Sequence, residues 1–197
     1  SCIGKFYLEE GQNAYMIKSP IDYYKWTWNN FSARPIYFKT SYSGAFCLTE
    51  NAFPWMHPSQ KTVLSDLTPA KQAYRPKLSG IKNIGLMPQP HRIPKDKWKS
   101  AIDLLSEKVG ERGAIKLHPG FFAVPQWLNE IEQIILVSSH DGIVFCDNTE
   151  ILELEMLYDK KTFFGARTSI EKYASVFGSK FEVIRFDGYI PSNLPEI

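Results

Sequence analysis

Residues 114–120, with the sequence Ala-Ile-Lys-Leu-His-Pro-Gly, decide the fold that this chain is expected to adopt. Residues 114–117, apolar except for Lys116, predict a short buried strand, and His118-Pro119 ends it, because proline fixes φ and lacks an N–H. A histidine at the carboxyl end of a parallel strand lies where open α/β sheets bind ligands. With an ordinary pKa of about 6.5, it can hold or release a proton. A lone His-Pro is more often an ordinary loop, so the surrounding pattern must decide.

Strand-like and helix-like segments alternate from residue 82 to the C-terminus. Predicted strands occupy residues 83–87, 114–117, 142–146, 162–164 and 181–186. Amphipathic segments lie between them, and the one after Pro94 places Trp98, Ile102, Leu105 and Val109 at helical spacing. Strands that alternate with helices form a parallel sheet covered on both faces. We therefore expect residues 82–197 to be a doubly wound α/β domain, although neither G-x-G-x-x-G nor a P-loop is present.

The first third of the chain lacks this regular alternation. Residues 2–8 predict a strand, and residues 19–32 predict a helix. Residues 71–81 contain Pro76 and Gly80 without any periodicity, which is typical of a linker. The expected organisation is a partial N-terminal domain over residues 1–70, a linker over 71–81 and the α/β domain over 82–197.

Composition narrows the class of protein. The 197 residues are 44% hydrophobic and 22% charged, and the net charge of +2 does not indicate nucleic-acid binding. Residues 71–116 hold eleven lysines and arginines but four acids, which indicates either a solvated face or attraction to an anionic donor, an acceptor or the inner membrane. The three cysteines are widely spaced and fit a reducing cytoplasm. No apolar run approaches the ~18 residues of a membrane span, and no signal-peptide pattern is present.

Candidate ligand-binding residues follow four of the predicted strands. They are Gln89 after the first, His118 after the second, Asn148, Thr149 and Glu150 after the third, and Gly165, Thr168 and Ser169 after the fourth. Such loops meet along one edge of the sheet. Hydroxyls and free N–H groups at a helix start suit an anion. Glu150 can accept hydrogen bonds from ribose hydroxyls, or it can be a favourable acid in a first helical turn. Together these groups predict a nucleotide-phosphate site.

An acidic turn follows the first predicted strand. Glu9 and Glu10 precede Gly11, and adjacent like charges raise the pKa of one another's carboxyl. Such a pair suits a general base in a cleft. The alternative is an acidic turn in water.

Three short motifs in this order resemble those of a known family. Glu9-Glu10-Gly11, His118-Pro119 and Thr168-Ser169 resemble the acidic-acidic-Gly, His-Pro and Ser-Ser or Ser-Thr motifs of bacterial GT-B sialyltransferases. That family includes capsular polysialyltransferases and lipooligosaccharide sialyltransferases. Residues 84–90, IGLMPQP, resemble the opening strand of its nucleotide domain. Thr-Ser stands here where Ser-Ser is usual, and a hydroxyl is kept at both positions.

The resemblance implies a function and a role for each motif. The expected reaction is an inverting, metal-independent transfer of sialic acid from a CMP-activated donor to a glycan hydroxyl, in capsule or lipooligosaccharide synthesis, with no cofactor. Glu9 is then the general base, with Glu10 as its substitute. His118 protonates or hydrogen-bonds the departing CMP phosphate. The remaining nucleotide-binding residues are expected to be Glu150 on the ribose, Thr168 and Ser169 on the phosphate, and Gln89, Pro119, Asn148, Thr149 and Gly165 around them.

The chain departs from the family at its beginning. Eight residues precede Glu9, whereas family members have many more, so we expect residues 1–70 to be part of a larger acceptor domain. An unpaired strand over residues 2–8 exposes a sheet edge, which favours pairing with a second copy. The expected behaviour of the chain alone is CMP binding with poor transfer.

Two other readings of the motifs stay open. The run 115–119, IKLHP, also resembles teichoic-acid glycerophosphotransferases and capsular Kdo transferases, which use CDP-glycerol and CMP-Kdo. The acidic triplet at residues 9–11 favours sialic acid. A non-catalytic polysaccharide-binding or assembly subunit belongs to a different class, and donor assays separate it from the enzymes.

Overall fold

A computed structural model describes residues 43–54, 56–138, 142–146 and 148–191, together with the backbone of the strand Phe6–Leu8. The predicted general base, Glu9 or Glu10, and the predicted helix over 19–32 lie outside the described residues. The chain divides into two compact units, Ser1–Leu67 with Leu194–Ile197, and Thr68–Asn193. Within the described part of both units, no helix is both long enough and apolar enough to cross a bilayer.

The first unit contains a parallel three-stranded sheet in the order β1-β2-β3. Its strands are β1 (Phe6–Leu8), β2 (Gly44–Cys47) and β3 (Lys61–Val63). The central strand is buried, with Ala45 and Cys47 each 1% exposed. A 3-10 turn, Pro58–Gln60, leads into β3.

The second unit contains a parallel five-stranded sheet in the order β6-β5-β4-β7-β8. Its strands are β4 (Asn83–Leu86), β5 (Ala114–Lys116), β6 (Val144–Cys146), β7 (Thr162–Gly165) and β8 (Lys180–Val183). All four pairings are parallel, which confirms the predicted α/β class. The arrangement is compatible with a Rossmann-like fold.

Helices connect these strands. They are α1 (Thr68–Ala73), α2 (Trp98–Val109), α3 (Pro119–Phe122), α4 (Pro125–Val137), α5 (Leu152–Glu155) and α6 (Ile170–Val176), with 3-10 turns at Pro90–Arg92 and Lys95–Lys97. Helix α2 ends at Gly110, which has a φ of 69° and so takes a backbone conformation that favours glycine. Helix α1 was not predicted from the sequence.

Helices cover both faces of the five-stranded sheet. Side chains alternate along each strand, so every strand contributes residues to both faces. On β4, the Asn83 amide donates to the Val109 carbonyl of α2 at 3.1 Å, so this side of the strand faces α2. One buried core joins α2, α3 and α4 to that face. Ile84 points the other way. A second buried set, contributed by residues on and after α5 and α6, comprises Leu152, Met156, Ile170, Tyr173 and Ala174.

Core packing holds the short helix α3, which directly follows His118. Trp98, 1% exposed, packs edge-on against Phe121 of α3, with ring centroids 4.9 Å apart. Its indole N–H donates to the Ile93 carbonyl at 3.3 Å. Both aromatic rings are buried, so the turn that follows β5 is held against α2 by apolar packing.

Residues 71–81, predicted to be a linker, are placed by the structure in the second unit. Helix α1 covers the first of them, and the rest are held by a carboxylate of α5. Glu155, 0% exposed, accepts from the Tyr74 hydroxyl at 2.7 Å, the Lys77 N–H at 2.8 Å and the Leu78 N–H at 3.1 Å. Burial and this hydrogen bond raise the pKa of Tyr74 to about 12, so the tyrosine stays a donor at neutral pH.

We expect Glu155→Ala to lower the free energy of unfolding by about 3 kcal/mol or more, since each donor left unsatisfied costs about 1–3 kcal/mol. Chemical denaturation of the purified chain measures the loss. The control is Glu171→Ala, because Glu171 lies 4.0 Å from Arg167 in an exposed pair that contributes about 0.5 kcal/mol or less. Equal losses in the two variants would contradict the role given to Glu155.

Candidate functional site

The strand order predicts a ligand-binding position at the carboxyl ends of β4 and β7. The chain runs from β4 outward to β5 and β6, then crosses to the other side of β4 for β7 and β8. In open α/β sheets, ligands bind where the order reverses in this way. Leu86 of β4 pairs with Gly165 of β7 at this point. A Cβ on Gly165 would lie 2.9 Å from the Leu86 Cβ, so Gly165, a predicted binding residue, serves close packing of the two strands.

His118 follows β5 and caps α3. Its Nδ1 accepts a hydrogen bond from the Gly120 N–H at 3.0 Å. Burial, and then the charge of His91, lower the pKa of His118. Because Nδ1 is an acceptor, the neutral ring carries its proton on Nε2. Of the two roles expected of His118, protonation and hydrogen bonding, this arrangement favours hydrogen bonding by a neutral imidazole through Nε2–H.

The second His-Pro of the chain has the same local geometry. His57 also caps a turn, and its Nδ1 accepts from the Ser59 N–H at 3.3 Å. The backbone angles of His57 are −64° and 139°, against −65° and 140° for His118. Capping is thus a local property of the His-Pro pair. What distinguishes His118 is its place at the carboxyl edge of the large sheet.

The loop after β4 lies directly against the loop after β5. A Cβ on Gly120 would lie 3.1 Å from Pro90 Cδ and 3.2 Å from His118 Nδ1. Gln89 precedes Pro90, and its side-chain oxygen accepts from Arg92 Nε at 3.3 Å. Pro119 is the first residue of α3. The structure therefore brings the predicted residues Gln89 and Pro119 into adjoining loops.

The two hydroxyl residues after β7 differ in their roles. Thr168 Oγ1 accepts from the Ile170 N–H at 3.1 Å and so caps the start of α6. Ser169 has helical backbone angles and makes no capping hydrogen bond with its side chain. Helix α6 has seven residues. Each hydroxyl retains a proton to donate, because a hydroxyl that accepts one hydrogen bond is still a donor.

Glu150 is almost completely enclosed, with 8% of its surface exposed. Its Oε1 lies 3.4 Å from Lys77 Nζ, and its Oε2 lies 3.9 Å from Lys116 Nζ. Lys77 also donates to the hydroxyl of Thr149. Helix α5 begins at Leu152, so Glu150 lies before the helix. It is therefore not an acid in the first helical turn, which was the alternative to a ribose acceptor.

Sequence reasoning missed three residues around this carboxylate. Lys116, Lys77 and Glu153 were not predicted to belong to the site. Burial raises the pKa of Glu153, and the charge of Lys116 partly opposes that shift. The available signal was Lys116 itself, a lysine inside an otherwise apolar strand. Asn148, which was predicted, is exposed next to Thr149.

The sheet edge offers an imidazole N–H, two hydroxyls and a carboxylate flanked by lysines. Donors of this kind suit an anionic group, and a carboxylate suits the hydroxyls of a sugar. No group of three or more histidine, cysteine or acidic residues in the described ranges could hold a metal ion. No protein-family model matches the chain, and no curated protein is significantly similar to it.

Acidification is expected to destabilise the chain partly through His118. The pKa of His118 is lower in the folded state than in the unfolded state. As the pH drops below about 6.5, the unfolded chain therefore binds the proton more readily than the folded chain, and the free energy of unfolding decreases. His118→Ser keeps a capping oxygen and removes the imidazole. Thermal unfolding at pH 7.5 and 5.5 should show a smaller loss in this variant than in wild type. Equal losses would show that His118 does not contribute.

Proposed function

We propose that this protein is a GT-B-type glycosyltransferase that moves sialic acid from a CMP-activated donor to a glycan hydroxyl, with inversion and without a metal. The observation that carries the proposal is the placement of His118. It follows β5, two residues beyond Lys116, at the carboxyl edge of a parallel five-stranded sheet and adjoins the loop of Gln89 and Pro90. This is the edge at which open α/β sheets bind nucleotides. The motif order that resembles the bacterial sialyltransferases supplies the substrate class.

In the proposed reaction, the bond between the sugar and the CMP phosphate breaks, and negative charge grows on the phosphate. His118 stabilises that charge through Nε2–H, which a neutral imidazole donates without being an acid. The hydroxyls of Thr168 and Ser169 donate to the same group. Donors already fixed where charge develops lower the barrier to bond breaking. Glu150 accepts from the hydroxyls of the cytidine ribose.

The acceptor hydroxyl must lose its proton as it attacks the sugar. In the proposal, Glu9 takes this proton, and Glu10 replaces it if the register differs. We expect Glu9→Gln to lower the rate of transfer by roughly 10²–10⁴-fold while leaving CMP affinity nearly unchanged, because the base acts on the acceptor. Glu10→Gln is the matched control and should be milder. An essential Glu10 with a dispensable Glu9 would reverse the two roles, and two neutral variants would remove the catalytic role of the pair.

Nucleotide titration followed by thermal unfolding tests the proposal. CMP at 100 times its Kd should stabilise the chain by about 2.7 kcal/mol, whereas AMP at the same concentration should not. The purified chain, given CMP-sialic acid, CMP-Kdo or CDP-glycerol with capsule-like acceptors, then identifies the donor. CMP binding without transfer from any of the three would favour the non-catalytic subunit. Absence of stabilisation by any cytidine nucleotide would overturn the proposal.

A further inference from the structure

Lys116 and Glu150 form a largely enclosed ion pair beside the carboxyl ends of the neighbouring strands β5 and β6. Lys116 is the last residue of β5, and Glu150 lies four residues beyond the end of β6. Their side chains are 12% and 8% exposed. The distance from Lys116 Nζ to Glu150 Oε2 is 3.9 Å, which is an ion pair but longer than a hydrogen bond.

Oxygen Oε2 of Glu150 is buried, and no described residue donates a hydrogen bond to it. Buried carboxylate oxygens are nearly always hydrogen-bonded, because burial without a partner is costly. Such an oxygen, held near a lysine charge at a strand end, has capacity for a further donor. A sugar hydroxyl is a donor of the right kind.

Lys77 and Lys116 both lie near the Glu150 carboxylate, but they differ in how firmly the structure holds their side chains. Lys77 approaches Oε1 from a surface segment, and its side chain is 49% exposed, so it can move aside for a ligand at small cost. Lys116 is fixed by its position in the sheet, where its strand pairs with β4 and β6. Lys116 is therefore the lysine that can set the place of the carboxylate with the ligand bound.

We propose that Lys116 is a positioning residue, which holds the Glu150 carboxylate where it accepts the vicinal hydroxyls of a nucleotide ribose. The inference depends on the proposed function, since it concerns recognition of the same donor. Lys116 itself does not contact the reacting atoms. Its compensating charge keeps the carboxylate in place in a site with little water, where an unpaired charge is unfavourable.

The test compares CMP with 2′,3′-dideoxy-CMP, which lacks the hydroxyls. In wild type, CMP should bind roughly 10- to 150-fold more tightly, the range for a hydrogen bond to a charged group. Lys116→Met should reduce this ratio to nearly one, and Lys116→Arg, which keeps the charge, should restore most of it. The control is Val109→Ala, because Val109, 2% exposed, lies in the core of α2. This variant should lose stability but keep the wild-type ratio of the affinities for CMP and 2′,3′-dideoxy-CMP.

The outcomes separate the inference from the proposed function. A wild-type ratio in Lys116→Met overturns the positioning role and leaves CMP binding untouched. Wild-type protein that binds both nucleotides equally overturns hydroxyl recognition by Glu150 and therefore this inference. Wild-type protein that binds no CMP overturns the proposed function as well. If Lys116→Met does not unfold cooperatively, Lys116→Gln, which keeps a polar group in the same space, carries the same expectation.

Discussion

Replacement of His118 by serine is expected to lower the rate of CMP release from the activated donor by roughly 10²–10³-fold, the usual cost of removing one hydrogen-bond donor from developing negative charge. Serine supplies a hydroxyl oxygen to the Gly120 N–H that now donates to the imidazole, and serine is a favourable capping residue. The variant therefore loses Nε2–H and keeps the turn. Release of CMP with a glycan acceptor present measures the effect.

His57→Ser is the matched control, because it removes the same side chain from the same kind of capped turn in the first unit. Its rate should equal that of wild type. His118→Ala loses the cap as well, at a cost of about 1 kcal/mol in stability, and should be as slow as His118→Ser. Full activity in His118→Ser would show that the histidine is only a capping residue.

The comparison of the two histidines shows what the sequence could establish. Both His-Pro pairs predict a break in the chain, and both cap a short turn with the same backbone angles. Local sequence determines that geometry. The functional difference comes from topology, because only His118 follows a strand of the five-stranded sheet. The strand pattern from residue 82 onward predicted this topology, since buried parallel strands are short apolar runs separated by helices.

The structure includes residues 71–81, predicted to be a linker, in the second unit, and their order has a physical cause that the sequence pattern does not show. Residues 74–81 have no periodicity, and their order comes from buried polar partners elsewhere in the chain. Glu155 binds Tyr74 at a separation of 81 residues, and Lys161 donates to the Leu78 carbonyl at 2.7 Å across 83 residues. Single hydrogen bonds of this kind leave no repeating pattern in the sequence. The same cause hid Lys77, which lies in this segment and contacts Glu150.

The sequence predicted Glu150 as an acceptor for ribose from its place after a strand, and that role stays a prediction. The structure adds the enclosure of its carboxylate between two lysines. Neither lysine follows from spacing, since Lys77 and Lys116 lie on separate segments. A buried carboxylate with two neighbouring cations is held more firmly than one on a free turn.

The second large effect is expected from Glu150→Gln, which should weaken CMP binding by roughly 10- to 150-fold, because hydrogen bonds to a charged acceptor contribute about 1.5–3 kcal/mol. Glutamine has the same shape, but half of its polar end is a donor that faces Lys77 and Lys116 unfavourably. Isothermal titration with CMP measures the change. Glu171→Gln, the same substitution at a glutamate of α6 whose side chain is 38% exposed, should bind CMP as wild type does.

The decisive comparison for Glu150→Gln uses 2′,3′-dideoxy-CMP. If Glu150 accepts from the ribose hydroxyls, the variant and wild type should bind this nucleotide with nearly equal affinity, because the interacting partner is absent from the ligand. If both nucleotides lose affinity equally, the carboxylate acts by holding Lys77 and Lys116 in place and does not contact the sugar. Unchanged CMP affinity would remove Glu150 from the site, since a residue 8% exposed at the ligand's hydroxyls cannot be replaced without effect.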